Sequence, residues 1–268
     1  MTVIKLGVNS VLFSGLDFPT ACRLARMCGF DGIEVSAIAG MCEHYAPDRW
    51  PEQADGIRRA AADHGLALLA MELAALDEAR LEKACAACQA AGIPIVNVGP
   101  GGKSREPGAV EQACTTLAAR ATLAAKYGVT LCCKAHVGCA VFDTPTTLAM
   151  MQAVPAANFG VDMDPSHVWR AGEEPAAALR QVVSRVRHVH IRDCKGRGPS
   201  PGAPRDQACG RGDIDLAAYF RVLVEARYDG PVCLEVIGAG SDDVPQKVAV
   251  AAESCGYMNA CLKALGAR

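Results

Sequence analysis

Four short apolar runs in the second half of the chain each end on or near one polar residue able to do chemistry. TLCCK ends on Lys134, GVDMD on Asp164, RHVHI carries His190, and VCLEV carries Glu235. Each run leads into a Gly- or Pro-containing loop and then a helical pattern. Polar residues at the C-terminal ends of parallel strands are how α/β barrels assemble active sites. Asp, His and Glu together supply the donors of a hard-to-borderline divalent ion. The fourth position breaks the set, because a lysine stands where a second carboxylate would complete the cage.

The elements that must position these residues alternate from end to end. Strand-like runs fall at 4–10, 32–36, 66–73, 94–99, 130–136, 159–164, 186–193 and 231–237, each followed by a helical pattern. Asp17 and Pro19 mark the start of the first helix, and Gly65 and Gly92 mark the ends of the second and third. The runs are mostly apolar without clean alternation, as parallel strands covered on both faces should be. Eight β-then-α units in 268 residues predict a (β/α)8 TIM barrel, one domain over residues 1–268. A doubly wound open sheet is the alternative, but no G-x-G-x-x-G follows the first run.

Bulk properties narrow the function. Charged residues make up 21% and apolar ones 51%, which fits a globular enzyme with a large core. A net charge of −2 gives no electrostatic footprint for nucleic acid. No run approaches the ~18 apolar residues of a membrane span, and the first residues lack a secretory pattern. Fourteen cysteines spread through apolar patterns suggest reduced, buried thiols and a cytoplasmic location. Cys85 and Cys88 form one C-x-x-C without a matching pair, on an Ala-rich helical pattern, which favours packing over metal or redox work. The segment between Asp193 and Asp213 is rich in Gly and Pro and carries Lys195, Arg197, Arg205 and Arg211. It is expected either to be a solvated mobile loop or to close over the barrel mouth and contact substrate through its basic residues.

Several of these segments resemble the xylose isomerase-like barrels. GVDMDPSHVWRAGEEP is similar to the Asp-x-x-His segment after that superfamily's sixth strand, HVHIRD to its seventh-strand His-x-(Lys/Arg)-Asp segment, GRGDID with VCLEVI to its last unit, and GFDGIEV to its second strand. The superfamily holds sugar isomerases, ketose 3-epimerases, inosose-processing enzymes and the endonuclease IV group. The resemblance implies that Asp164, His190 and Glu235 are metal ligands and that His167 binds substrate. It implies one divalent ion, Mn, Mg or Zn, unless Lys134 displaces it. The family's first ligand is a Glu in a Glu-x-His segment, which here reads Lys134-Ala135-His136. The endonuclease reading needs extra histidines on the third and fourth strand ends, where this chain has MEL and VNVG.

Each residue also has an ordinary structural explanation. Asp164 could cap a helix, His190 could be a satisfied histidine of the barrel wall alongside His188, and His136 and His167 could be loop residues. Glu235 in a core strand is costly unless paired or ligating. Lys134 allows three arrangements. Its ammonium could replace the metal by pairing with Asp164 and Glu235. A metal could remain on three ligands with Lys134 turned away. Or Lys134 could be neutral and serve as a base or Schiff-base nucleophile. A monovalent and a divalent cation ~4 Å apart repel by roughly 8 kcal/mol at an effective dielectric near 20. Loss of a charged ligand favours the first or third arrangement.

These residues lead to an expected isomerase or epimerase of carbohydrate metabolism, acting on a small keto sugar or related polyhydroxy carbonyl compound through an enediol. Glu235, Lys134 and His167 are the expected catalytic groups. His136, His167, Lys195, Arg197, Glu34 and Glu72 are the expected substrate contacts. A lyase or dehydratase using Lys134, or a non-catalytic sugar-binding barrel, is the alternative. The expected partner is a carbohydrate-like small molecule, with no nucleic acid and no membrane; a homo-oligomer is compatible with the chain.

Overall fold

The computed structural model describes residues 4–268, so residues 1–3 of the expected domain lie outside it. Nine strands form one sheet: β1 (Lys5–Asn9), β2 (Gly32–Ile38), β3 (Cys42–Glu43), β4 (Ala67–Ala74), β5 (Ile95–Val98), β6 (Thr130–Lys134), β7 (Phe159–Met163), β8 (Val186–Ile191) and β9 (Pro231–Leu234). All of them except β3 run parallel, and β1 pairs with both β9 and β2, which closes an eight-stranded barrel. The short β3 folds back antiparallel on the end of β2, pairing Ala37 with Glu43, and has no counterpart among the eight runs read from sequence.

The helices are α1 (Phe18–Met27), α2 (Trp50–Asp63), α3 (Glu78–Ala91), α4 (Ala109–Ala125), α5 (Thr144–Ala153), α6 (Pro165–Arg170), α7 (Pro175–Val182), α8 (Leu216–Glu225) and α9 (Val244–Ala264). Several start on an Asp side chain that accepts a backbone N–H, with proline just inside: Asp17 for α1, Asp143 for α5 and Asp243 for α9. Gly92 ends α3 in the left-handed conformation, φ 74°, where a Cβ would be strained. Cys85 and Cys88 are fully buried on α3, and Cys88 Sγ lies 3.8 Å from Met71 Sδ, as a packing face requires. All fourteen thiols are unpaired. No helix among the described residues is long and apolar enough to cross a membrane.

Alternation along each strand sends one set of side chains outward to the helices and the other into the barrel. Ala70, Ile95 and Cys132 make a small apolar cluster separate from the main core. Gly7 and Gly32 leave the room filled by Leu69, since a Cβ on either would lie within 2.7 Å of its side chain. Toward the C-terminal ends the inward positions become polar: Asn9, Glu34, Glu72, Asn97, Lys134, Asp162, His190 and Glu235, all buried. Three register shifts occur beside them, at Ile33/Glu34, Glu72/Ala74 and Val161/Asp162. Such irregularities re-aim side chains at barrel rims.

Candidate active site

The polar residues at the strand ends meet under a cavity of about 530 Å³. Glu72, Lys134, His136, His167, Arg170, Arg192 and Glu235 line it, and Pro199, Ser200 and Pro201 roof it. A larger cavity of about 680 Å³ lies at the opposite end of the barrel, lined by Ile4, Val224, Arg227, Tyr228 and the C-terminal turn. It gathers no carboxylate, histidine or cysteine, so the chemistry belongs to the mouth.

Lys134 is the centre of the site. Its Nζ donates to Glu72 Oε1 at 3.0 Å and to Glu235 Oε1 at 2.9 Å. Burial would pull its pKa down, but the Glu235 and Glu72 carboxyl groups reverse that and hold it above the ordinary lysine value. This is the ammonium arrangement, with Glu72 in the place expected for Asp164. A neutral nucleophilic lysine does not fit it. Burial would raise Glu235, yet the Lys134 ammonium and the Arg192 guanidinium keep its carboxyl well below the usual range. Burial, with the Glu235 charge beside it, pushes Glu72 up to about 8. The two carboxyls thus stand in opposite states at neutral pH, Glu235 ionised and Glu72 protonated. Splitting of two neighbouring acids is how acid and base roles are set apart. Asn9 Nδ2, at 2.6 Å from Glu72 Oε2, fixes the second oxygen.

Asp164 faces a different cation. Its Oδ1 accepts from the Ser166 backbone N–H at 2.8 Å and from Ser166 Oγ at 2.7 Å, capping α6, and its Oδ2 accepts from Arg192 Nη2 at 2.9 Å. Arg192 Nη1 lies 3.1 Å from Glu235 Oε2. His190 lies one layer deeper, with Nε2 2.6 Å from Glu34 Oε2 and Nδ1 2.6 Å from Asp162 Oδ2. Burial alone would lower its pKa; Asp162 and Glu34 outweigh that and hold the ring charged. His188 Nδ1 lies 2.9 Å from Asp162 Oδ1, on the same inward side as His190.

The family-implied metal set therefore does not fit. A divalent ion needs carboxylates free of competing cations and an imidazole with a lone pair. Asp164 is held by Arg192, Glu235 by Lys134 and Arg192, and His190 has a carboxylate on each ring nitrogen. Three other buried donor groups do lie within 4.8 Å of one another: Glu34, His188 and Cys233; Asp162, His188 and His190; Glu34, Glu72 and His190. They share the same charged pairs.

The remaining expected site residues divide. His136 and His167 reach the cavity, with rings 3.9 Å apart. Burial and the guanidinium of Arg192 hold His167 well below its ordinary pKa, so it is neutral. Its Nε2 lies 2.9 Å from Arg192 Nη2 and its Nδ1 3.0 Å from Arg170 Nη2. The ring is thus held neutral beside the cavity by burial and by the neighbouring guanidinium groups. Glu72 lines the cavity, whereas Glu34 lies beneath it, bonded to His190 and to Asn97 Nδ2 at 2.7 Å.

Lys195 and Arg197 do not line the cavity, contrary to expectation. Lys195 is exposed and pairs with Asp206, and Arg197 stacks on Trp169 at 3.8 Å and pairs with Glu174. Their charges are spent fixing the 194–212 loop. Asp193, at its root, accepts the backbone N–H groups of Cys194, Gly210 and Ile214, and Gln207 is fully buried. What the loop gives the mouth is its Pro199–Pro201 turn, held by Arg170 Nη1 at 2.9 Å from Pro199 O.

Arg192, Arg170 and Asp162 were not singled out from sequence, yet the signals were present. Arg192 follows His188 and His190 at period two, and Asp162 precedes Asp164 by two. Arg170 follows His167 by three, on one face of a helix.

An eight-stranded parallel barrel with an acid, base and cation cluster at its C-terminal mouth defines an α/β-barrel of the enzyme-bearing kind. The chain belongs to the xylose isomerase-like TIM barrel family, whose description matches residues 22–261. It is similar to an inosose dehydratase of Clostridium botulinum (strain Alaska E43 / Type E3), 27% identical over 127 residues, which is 42% of each chain. That match spans less than half the length of the curated relative. Among solved structures it is similar to a D-psicose 3-epimerase with D-tagatose from Clostridium cellulolyticum H10, TM-score 0.76 at 16% identity, covering 97% of this chain and 99% of that one. It is also similar to an IOLI protein with a bound zinc atom, TM-score 0.76 at 19% identity, covering 97% and 99%. At these identities the structural likeness carries the fold.

Proposed function

We propose that the mouth catalyses proton transfer at the carbon beside a carbonyl of a small polyhydroxy compound, giving isomerisation or epimerisation through an enediol. The observation that carries this is the Glu72–Lys134–Glu235 triad, two buried carboxyl groups bridged by one ammonium, with burial pushing Glu72 up and the neighbouring cations holding Glu235 down. Glu235 takes the proton from carbon, and the C–H electron pair moves toward the carbonyl, whose oxygen becomes an enediolate. Lys134 and Arg192 donate hydrogen bonds to that oxygen as charge develops, the electrostatic role that a metal would otherwise fill. Glu72 delivers a proton to the opposite face or to the neighbouring carbon. His136 and His167 hold hydroxyls. The fully unpaired thiols fit a reducing, cytoplasmic setting.

Loss of water is the second reading. It is favoured by the Glu72 carboxyl, which could protonate a β-hydroxyl as it leaves, and by the likeness to an inosose dehydratase. In both readings the first step is the same.

Incubation in D₂O with a panel of 2-keto hexoses and 2-keto acids tests that step. Deuterium should enter next to the carbonyl, and Glu235→Gln should slow this by about 10²–10⁴-fold. Product mass separates the readings, since a dehydratase loses one water. Absence of deuterium in every compound of a panel that demonstrably binds would leave a sugar-binding barrel in place of an enzyme.

A further inference from the structure

The three cations of the mouth are not equally matched by its carboxylates. Lys134 takes Glu72 and Glu235, and Arg192 takes Asp164 and Glu235. That uses both ionised carboxylates of the mouth, Glu235 and Asp164, since the Glu72 carboxyl is held protonated. Arg170 is buried, lines the cavity, and forms no ion pair within 4.0 Å of any described carboxylate. Its Nε donates to Ser166 O at 3.2 Å, its Nη1 to Pro199 O at 2.9 Å, and its Nη2 faces His167 Nδ1 at 3.0 Å. A guanidinium carries five N–H donors in a fork, and only two of them, on Nε and Nη1, donate to backbone carbonyls here. The ring of His167 also lies between the two guanidinium groups, with Arg170 Nη2 3.0 Å from Nδ1 and 3.5 Å from Nε2, and Arg192 Nη2 2.9 Å from Nε2. Two guanidinium groups gathered on one imidazole, with only one of them matched by carboxylates, make a locally positive wall. A buried charge without a counter-ion is costly, and a bound anion removes that cost.

We infer that the substrate carries an anionic head group, a carboxylate or a phosphate, which docks on Arg170 beneath the Pro199–Pro201 turn. This rests on the proton-transfer reading for the word substrate; the anion preference itself rests on Arg170. A planar fork suits either oxyanion bidentately. The roof is then part of the recognition, since the residue that would grip the anion also holds Pro199.

Three matched probes decide it: D-fructose, 2-keto-D-gluconate, which replaces the first carbinol of fructose with a carboxylate, and D-fructose 1-phosphate. Their equilibrium affinities are measured by calorimetric titration of the full chain at 50 and 500 mM NaCl, together with their deuterium exchange in D₂O. At low salt one of the anionic probes should bind about tenfold or more tightly than D-fructose, and the gap should shrink at high salt. Preference for 2-keto-D-gluconate assigns a carboxylate and preference for the phosphate ester assigns a phosphate. Arg170→Gln should abolish the gap, and Arg170→Lys should keep part of it. Should Arg170→Gln fail to fold, the salt-dependent preference of the unmodified protein and the Arg170→Lys value still decide. Equal affinity for all three probes in the unmodified protein, or an undiminished gap in folded Arg170→Gln, overturns the inference. Deuterium exchange with equal affinities leaves the proton-transfer reading standing alone, and an anion preference without exchange leaves only the anion site.

Discussion

Lys134 lies between two carboxyl groups in a barrel interior almost closed to water. Removing one member of a buried ion pair leaves the others uncompensated, at a cost of about 3–5 kcal/mol. Lys134→Met should therefore lower unfolding free energy by that amount, read from urea denaturation, and a loss below ~1 kcal/mol would mean that the pairs are not formed. Lys134→Glu should place a third carboxylate beside Glu72 and Glu235 and raise Mn²⁺ affinity sharply over the unmodified protein in calorimetry. Glu72 gives a pH signature. Its carboxyl, raised to about 8 by burial and by Glu235, donates a proton below that pH and loses it above. The exchange rate should fall as pH rises through about 8, and Glu72→Gln should be slower and lack that fall. At this scale strand-end position named Lys134, Glu235 and Glu72, and the family resemblance named His167. It did not reveal that Asp164 belongs to Arg192, because which cation reaches a carboxylate depends on side-chain length and tilt across strands.

At the level of elements, the β-then-α alternation was legible because buried parallel strands leave uninterrupted apolar runs and helices carry Asp, Pro and Gly at their ends. The β2–β3 turn-back and the one-and-a-half-turn α6 were not, since each is too short for a period to register. The 194–212 loop shows the other limit. Its Gly, Pro and positive charge read as a mobile lid, whereas Asp193 ties two of its backbone N–H groups and that of Ile214 just beyond it, and its cations Lys195, Arg197 and Arg211 face Asp206, Glu174 and Glu253. Asp193→Ala should free those groups and speed proteolytic cleavage within 194–212 severalfold; an unchanged rate would show that the loop is held elsewhere. In the strands, Gly32→Ala would press a methyl to 2.6 Å from Ala67 O and Leu69 Cγ. Such overpacking costs about 1–3 kcal/mol, measurable by the same denaturation, with activity retained in the fraction that folds.

Across the whole molecule, one closed barrel brings residues separated by a hundred positions into one triad, as with Lys134 and Glu235. The apolar lower interior and helical layer hold the strand ends still, and the bulges turn Glu34, Glu72 and Asp162 inward. The fold is shared with a zinc-bound structure and a sugar epimerase, and in the reading proposed above Lys134 and Arg192 supply the positive charge at this mouth. The direct measurement is solvent-deuterium exchange next to the carbonyl, followed by NMR, on protein dialysed against EDTA and then on the same protein with added Mn²⁺. The account predicts the same exchange rate in both samples. Exchange lost on chelation and restored by Mn²⁺ would contradict it.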